Sequence, residues 1–194
     1  MLDIRHRTHY RYGQAAVFSQ HLLRLTPGPA AGQRVIITDL SISPKPDTIE
    51  RHQDFFGNVV HVATVAHTHA ELEITATARV DRAPRQRLML DTSAPWEHTR
   101  NVALGIGGAT PGSETSPFAF PSSMTAADDA LEDYARAHFT PGRPVLVAAE
   151  EFCKRIYTDF AYTPGITQAD TLPTESFRLK KGVCQDFAHV MLAG

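Results

Sequence analysis

The sequence predicts an α+β protein, with an N-terminal antiparallel β-sandwich over residues 1–82 and a helical region over residues 125–194. Two observations predict this class. Apolar residues alternate with polar ones in the first region, as in strands, and recur every three or four positions in the second, as in helices. Residues 83–124 have no sustained period and hold prolines among glycines and serines, which indicates a linker or an extended strap.

The first region is predicted to form about six strands. Leu2 and Ile4 alternate with Asp3 and Arg5, and the stretches RVIITDLSIS, NVVHVATV and HAELEITATARV continue this β-branched, alternating pattern. Turn signals such as PKPD and FGN separate the strands. Short strands with short connections build an antiparallel sandwich or barrel, and we take the sandwich as the prediction.

The segment 83–124 also carries large apolar side chains. Trp96, Phe118 and Phe120 lie within it. Because exposed aromatic residues are costly, we expect these three to dock against a surface. The segment marks the predicted boundary between two domains.

Four helices are predicted after residue 124. Their expected spans, set by caps, prolines and glycines, are residues 125–140, 144–157, 171–181 and a last helix from 183 or 184 onward. Thr125 and Asp128 are spaced as in a capping box at the first of these starts.

Composition and charge exclude several classes of protein. The chain has 19 Lys and Arg against 21 Asp and Glu, so no long-range field steers it toward nucleic acid or anionic lipid. No apolar run approaches the ~20 residues of a membrane span, and the N-terminus lacks a signal-peptide core. We therefore expect a cytoplasmic protein that binds neither nucleic acid nor a membrane.

Cys184 lies in the stretch GVCQDFAH, in the predicted first turn of the last helix. There, unpaired backbone amides and the helix dipole stabilise a thiolate, and the same amides can bind a developing oxyanion. Asp186 in the same turn would oppose the thiolate if its charge pointed inward. The alternative is structural, and periodicity alone favours it. An apolar stripe at helical spacing contains Cys184, Phe187, Ala188, Met191 and Leu192.

The stretch GVCQDFAH, preceded by a helix and by FAYTPGIT, closely resembles the nucleophile motif of bacterial transglutaminase-like proteins of the papain-like thiol superfamily. THYRY and SQHLLRLTP resemble the β domain that precedes that core, and PFAFPSS is also similar to the family. The resemblance spans nearly the whole chain. It implies that residues 125–194 are the helical N-terminal half of a papain-like transglutaminase core. It also implies that Cys184 is the nucleophile of a Cys-His-Asp triad that attacks an amide or acyl carbonyl.

In that family the histidine and aspartate follow the cysteine, whereas these 194 residues end ten positions after Cys184. His189 is no substitute, since five positions along a helix place it about 140° away from Cys184. We therefore expect a truncated, inactive part of an acyltransferase or cysteine protease that acts on a protein or peptide. The uncovered face of the last helix predicts a homodimer or a rearranged C-terminus.

Other side chains carry weaker predictions. Tyr162, in the F-x-Y piece before the nucleophile helix, is a candidate oxyanion donor, with core packing as its alternative. Cys153 lies mid-helix and is expected to be structural. His67 and His69 share a strand face without a matching carboxylate or cysteine, so we expect neither a metal site nor a cofactor.

Two other functions stay open. A noncatalytic binding or interaction module on the same fold is one, because fold does not imply function. A redox-sensing thiol protein is the other, and it requires a resolving cysteine near Cys184. Only Cys153 could serve, and it lies far upstream in sequence.

Overall fold

The computed structural model describes residues 1–28, 30–84, 88–108 and 115–194. Two units are present, Met1–Arg87 and Leu88–Gly194, here called the strand unit and the helical unit. The first contains antiparallel strands and the second mainly helices, so the mixed α and β class is confirmed. The division at residue 87 falls inside the segment predicted as a linker.

The strand unit contains six strands. They are β1 (Leu2–Ala16), β2 (Ser19–Thr26), β3 (Gln33–Ser43), β4 (Thr48–Gln53), β5 (Val59–Val65) and β6 (His69–Arg82). They form two three-stranded antiparallel sheets, with the orders β1-β6-β3 and β2-β5-β4. The prediction of antiparallel strands with short turns is confirmed.

The central strand β6 shows why the sequence folds this way. Its alternate apolar residues are buried, and between them lie polar residues such as Glu73 and Thr75, which are half-buried. Side chains from both sheets meet in one apolar cluster of Leu23, Ala63, Val65, Leu72 and Ile74. Burying a side chain the size of leucine contributes roughly 1.5–3 kcal/mol relative to exposure, so this cluster stabilises the unit.

The helical unit contains five helices and one short parallel pair of strands. The helices are α1 (Trp96–Leu104), α2 (Asp129–Arg136), α3 (Val145–Asp159), α4 (Pro173–Leu179) and α5 (Cys184–Ala193). The strands are β7 (Ala161–Tyr162) and β8 (Lys181–Gly182). Phe152 of α3 is fully buried at the centre of a cluster that also includes Leu131, Ala135, Ile156, Phe160, Val190 and Ala193.

The helix α1 lies in the segment predicted to be irregular, so that expectation was wrong for residues 96–104. Trp96 docks as expected, since its ring packs edge-on against Phe139 and its Nε1 donates to the carbonyl of Thr140 at 3.0 Å. Phe118 and Phe120 are instead 71% and 62% exposed. Residues 85–87 and 109–114 of the predicted linker lie outside the described residues.

The start of α2 also differs from the prediction. Asp128, and not Thr125, caps this helix, because its Oδ1 accepts hydrogen bonds from the backbone of Ala130 and Leu131. Thr125 bonds with Ser122 in the preceding turn. Of the two residues of the predicted capping box, only Asp128 caps the helix.

Within the described ranges, every helix is too short or too polar to cross a membrane.

Candidate active site

Cys184 is the first residue of α5, and its side chain is exposed. The helix buries a different face, formed by Asp186, Val190 and Ala193. Of the apolar stripe that supported the structural alternative, Cys184, Ala188 and Leu192 are exposed. Within the described residues, Cys184 is therefore not part of a buried core.

The first turn of α5 presents backbone donors beside this thiol. Phe187 N–H begins the helical hydrogen bonds by donating to the carbonyl of Val183 at 3.2 Å. The amides of Cys184, Gln185 and Asp186 have no hydrogen-bond acceptor among the described residues. Free amides at a helix start carry partial positive charge and can bind an anionic oxygen.

Asp186 is the buried carboxylate of this turn, with 2% of its surface exposed. Its Oδ2 accepts from the backbone N–H of Val183 at 2.7 Å and from the hydroxyl of Thr167 at 2.7 Å. Valine has no side-chain acceptor, so only the acidic half of a capping box is present here. The carboxylate faces inward, and both donors compensate its charge.

Gly182 is required by this arrangement for steric reasons. A Cβ at residue 182 would lie 2.6 Å from Oδ2 and 2.8 Å from Cβ of Asp186. No real Cβ tolerates such contacts, so a larger residue would displace the carboxylate. The glycine that begins the stretch GVCQDFAH is thus explained by Asp186.

The two-residue strand β7 places Tyr162 beside the start of α5. Tyr162 pairs with Gly182, and Thr163 N–H donates to the carbonyl of Gly182 at 2.8 Å. The ring of Tyr162 is 65% exposed, so it is not a core residue. This strand pairing therefore brings the F-x-Y piece next to the stretch GVC, although the two segments are distant in sequence.

Lys180 forms the turn between α4 and β8 with an unusual backbone and an unusual environment. Its φ of 50° lies in the left-handed region, which is uncommon for a residue other than glycine. Its Nζ lies 3.3 Å from the ring centroid of Phe177, 4.4 Å from that of Tyr134 and 4.6 Å from that of Phe160. Three cation–π contacts hold the ammonium and, through it, the turn that leads to Cys184.

Charged groups adjoin this aromatic cage. Burial lowers the pKa of Lys180, while Asp159 raises it and Arg155 lowers it. Tyr134 donates from its hydroxyl to Asp159 at 3.0 Å, and burial followed by this hydrogen bond raises the pKa of Tyr134 to about 12. Arg155 donates to the same carboxylate at 2.6 Å and is the main cause of the lowered pKa of Asp159.

The remaining thiol and the last histidine do not join this site by any hydrogen bond that the described residues show. Cys153 is exposed on α3, so the expectation that it packs in a core was wrong. His189 lies on α5, and its Nδ1 is buried without a hydrogen-bond partner among the described residues.

The histidines of the strand unit form a polar network with Ser19. His69 is buried, and its Nδ1 donates to the carbonyl of His67 at 2.8 Å, which leaves its Nε2 to accept from Ser19 at 3.0 Å. His21 Nε2 lies 3.0 Å from the same hydroxyl. Burial, followed by the charge of His69, lowers the pKa of His21. His67 contacts Asp47 at 3.3 Å.

This network is explained by hydrogen bonding alone. No group of three His, Cys, Asp or Glu side chains in the described part of the chain is placed to hold a metal ion together.

Sequence reasoning missed three features of the site. The inward placement of Asp186 had a partial signal, since an acidic residue three positions after a helix cap is half of a capping box. The contact between Thr167 and Asp186 joins residues 19 positions apart, and no sequence pattern indicated it. The cage around Lys180 draws its rings from α2, α4 and the residue after α3, so it too required the folded structure.

The strand unit is similar to a known protein family. Residues 2–81 match the family described as the bacterial transglutaminase-like N-terminal region. The match covers the six strands described above almost completely.

Two relatives extend the comparison over the whole chain. An uncharacterized protein of Mycobacterium tuberculosis is 33% identical over 193 residues, covering 98% of this chain and 60% of that protein. An uncharacterized protein of Mycobacterium leprae is 26% identical over 187 residues, covering 96% of this chain and 63% of that protein. The chain thus spans about 60% of the length of the curated relatives it matches.

A solved structure gives the fold. The crystal structure of a candidate cysteine protease from Cytophaga hutchinsonii has a TM-score of 0.70 to this chain at 20% identity, covering 99% of this chain and 64% of that one. At this identity the match establishes a shared fold. The strand unit therefore matches the bacterial transglutaminase-like N-terminal region, and the chain as a whole shares the fold of the candidate cysteine protease.

Proposed function

We propose that Cys184 is the nucleophile of a thiol enzyme that transfers or hydrolyses acyl groups, with its histidine and aspartate outside these 194 residues. The observation that carries this proposal is the exposed thiol at the first position of α5, beside three backbone amides without partners among the described residues. The family supports it, and so does the greater length of the relatives.

In the proposed reaction the thiolate sulfur attacks the carbonyl carbon of an amide, and the carbonyl π electrons move to oxygen. The amides at the start of α5 stabilise that oxyanion. Collapse of the intermediate breaks the carbon–nitrogen bond, and the leaving amine takes a proton from the proposed histidine. Water or a second amine then attacks the thioester carbonyl and gives up a proton to the proposed histidine, and the carbon–sulfur bond breaks to return the thiolate. The acceptor decides between hydrolysis and transfer.

Tyr162 is proposed as an additional donor to the oxyanion. Its support is the pairing with Gly182, two residues before Cys184, and the exposure of its ring. Replacing Tyr162 with Phe removes only the hydroxyl. If the hydroxyl contributes, this substitution slows acylation of Cys184 and leaves its alkylation unchanged.

The finer description of the fold belongs to the same proposal. The strand unit is proposed to be a β-sandwich, supported by the apolar cluster that joins residues of both sheets. Residues 125–194 are proposed to be the helical half of a papain-like transglutaminase core, supported by the fold shared with the candidate cysteine protease. A protein or peptide is the proposed substrate.

An activated ester tests the nucleophile without the histidine. With p-nitrophenyl acetate, sulfur bonds to the acetyl carbon and the carbon–oxygen bond breaks, so that p-nitrophenolate leaves as an anion and needs no proton donor. Mass spectrometry would measure acetylation at Cys184 and Cys153, and each rate is divided by the rate of alkylation by iodoacetamide at the same residue.

This normalised acylation ratio removes differences in ionisation and access, because alkylation depends on both but needs no oxyanion stabilisation. We expect the ratio to be about tenfold or more higher at Cys184 than at Cys153. A Cys153→Ser chain should keep the fast acetylation, and a Cys184→Ser chain should lose it. Equal ratios at the two residues would contradict the proposal and favour the noncatalytic binding module.

A further inference from the structure

We infer that Asp186 is a positioning residue that attaches the loop of residues 163–171 to the start of α5 and so holds the amides around Cys184 in place. The inference rests on the proposed function of Cys184. Asp186 itself has no contact with a reacting atom in this scheme. It acts through the backbone on either side of the nucleophile.

The contacts of Asp186 give the first argument. A buried carboxylate needs hydrogen-bond donors, and this one has a local donor and a distant one. Val183, just before Cys184, donates its backbone N–H at 2.7 Å, and Thr167 donates its hydroxyl at 2.7 Å. Both bonds end on the same atom, Oδ2. One oxygen therefore connects the backbone before the nucleophile with the middle of the loop.

A second tie reinforces the first. Gln185 donates from Nε2 to the carbonyl of Ala169 at 2.9 Å. Within the loop, Gln168 N–H donates to the hydroxyl of Thr171 at 2.8 Å. The loop is thus attached to both residues that follow Cys184, and its own turn is closed by a hydrogen bond.

The steric contact with Gly182 gives the third argument. The carboxylate fills the space above this glycine, so the backbone at residue 182 and the side chain of Asp186 cannot move independently. Gly182 in turn pairs with Tyr162. The placement of Asp186 therefore constrains Gly182 and Val183, the two residues before Cys184, together with the loop of residues 163–171.

A positioning role differs from a purely structural one in what it changes. The backbone amide of Asp186 is one of the three amides without an acceptor among the described residues, and Val183, which Asp186 holds, directly precedes the first of them. Loss of the carboxylate contacts would shift these donors relative to the sulfur, and misplacement on the scale of 1 Å costs orders of magnitude in rate. Alkylation, which involves no oxyanion, would be spared.

The test applies the normalised acylation ratio of Cys184 to four variants. Asp186→Asn keeps the shape of the side chain but weakens both hydrogen bonds, because a neutral amide oxygen is a poorer acceptor than a carboxylate. Thr167→Val removes a single hydroxyl. Thr167→Ser restores that hydroxyl and serves as the conservative rescue. Thr158→Val is the matched control, because the Thr158 hydroxyl donates to the backbone carbonyl of Lys154 within α3, away from these contacts.

We expect Asp186→Asn to lower the ratio about tenfold and Thr167→Val to lower it about fivefold. Thr167→Ser and Thr158→Val should retain the wild-type ratio. If Asp186→Asn does not fold, Thr167→Val and its rescue by serine decide the question. Unfolding of each variant is monitored in parallel, so that rates are compared only on folded chains.

Two negative results separate the inference from the function on which it rests. If the normalised acylation ratio of Cys184 in the wild-type chain is no higher than that of Cys153, the proposed function and this inference are both overturned. If the ratio of Cys184 is high in the wild type and equally high in Asp186→Asn and Thr167→Val, the positioning role alone is overturned. The same holds if Thr167→Val lowers the ratio and Thr167→Ser does not keep it at the wild-type value.

Discussion

The side chain of Asp186 packs directly against Gly182, since a Cβ at residue 182 would lie 2.6 Å from Oδ2 of Asp186. The same oxygen holds Val183 and Thr167 by hydrogen bonds. The glycine, the carboxylate and the helix start therefore form one steric and electrostatic unit beside Cys184.

Replacing Gly182 with Ala should destabilise the helical unit by about 1–3 kcal/mol, because the added methyl group overpacks a buried site. The helical unit contains the single tryptophan, Trp96, so urea unfolding followed by tryptophan fluorescence reports on it.

The control for this substitution is a double-mutant cycle. All three nearest atoms to the added Cβ belong to Asp186. In an Asp186→Gly chain, the Gly182→Ala change should therefore cost much less than in the wild type. An equal cost in both backgrounds would show that the steric account of Gly182 is wrong.

Replacing Lys180 with Met should lower the free energy of unfolding of the helical unit by about 1–2 kcal/mol. Methionine keeps an apolar stem of similar length but loses the cation that faces Phe177, Tyr134 and Phe160. The matched control is Lys181→Met, since Lys181 is exposed and follows directly in sequence. Equal stability of the two variants would mean that the cage contributes nothing beyond burial of the lysine stem.

The strand unit should lose stability as the pH falls below about 6.5, the ordinary pKa of histidine. Burial and the neighbouring His69 lower the pKa of His21 in the folded chain. Between its folded and unfolded values, the unfolded state binds more protons, so stability rises with pH across that window. Urea unfolding followed by circular dichroism at several pH values would measure this slope.

Two histidine variants identify the source of that pH dependence. His21→Gln should reduce the slope, because glutamine does not titrate. His52→Gln, at an exposed position on β4, should leave it unchanged. A slope that is the same in wild type and His21→Gln would contradict the assignment.

The chain is expected to self-associate through the end of α5. Leu192 is 70% exposed and lines a groove with the exposed rings of Phe118 and Phe120. Leu192→Glu places a charge in this apolar groove and should shift sedimentation equilibrium toward monomer. Ala188→Glu, on an exposed part of the same helix, is the control. A wild-type chain that is monomeric at high concentration would contradict this prediction.

The start of α5 could be predicted from sequence because its signals are local. Gly182 ends the helix predicted over residues 171–181, and the next helical period begins directly after it. The predicted start at Val183 or Cys184 agrees with the observed one. The strands were predictable for the same reason, since β6 alternates over its whole buried length.

The buried face of α5 could not be predicted from its period. Apolar residues lie on more than one side of this helix. The structure fully buries Asp186, Val190 and Ala193, while Phe187 and Met191 of the apolar stripe are only partly buried against the core cluster. The choice depends on Thr167 and on neighbouring helices that lie far away in sequence. Cys153 was placed wrongly for a related reason, because the buried positions of α3 are Ala148, Phe152 and Ile156.

The pH dependence of alkylation at the two cysteines tests the central claim most directly. Both thiols are exposed on one chain, so one reagent samples both under identical conditions. If the helix start stabilises a thiolate at Cys184, this residue should react with iodoacetamide faster than Cys153 near neutral pH, and the difference should narrow as the pH rises and both thiols ionise. A ratio of the two rates that stays constant across pH, or rates that are equal throughout, would contradict the claim that Cys184 is an activated nucleophile.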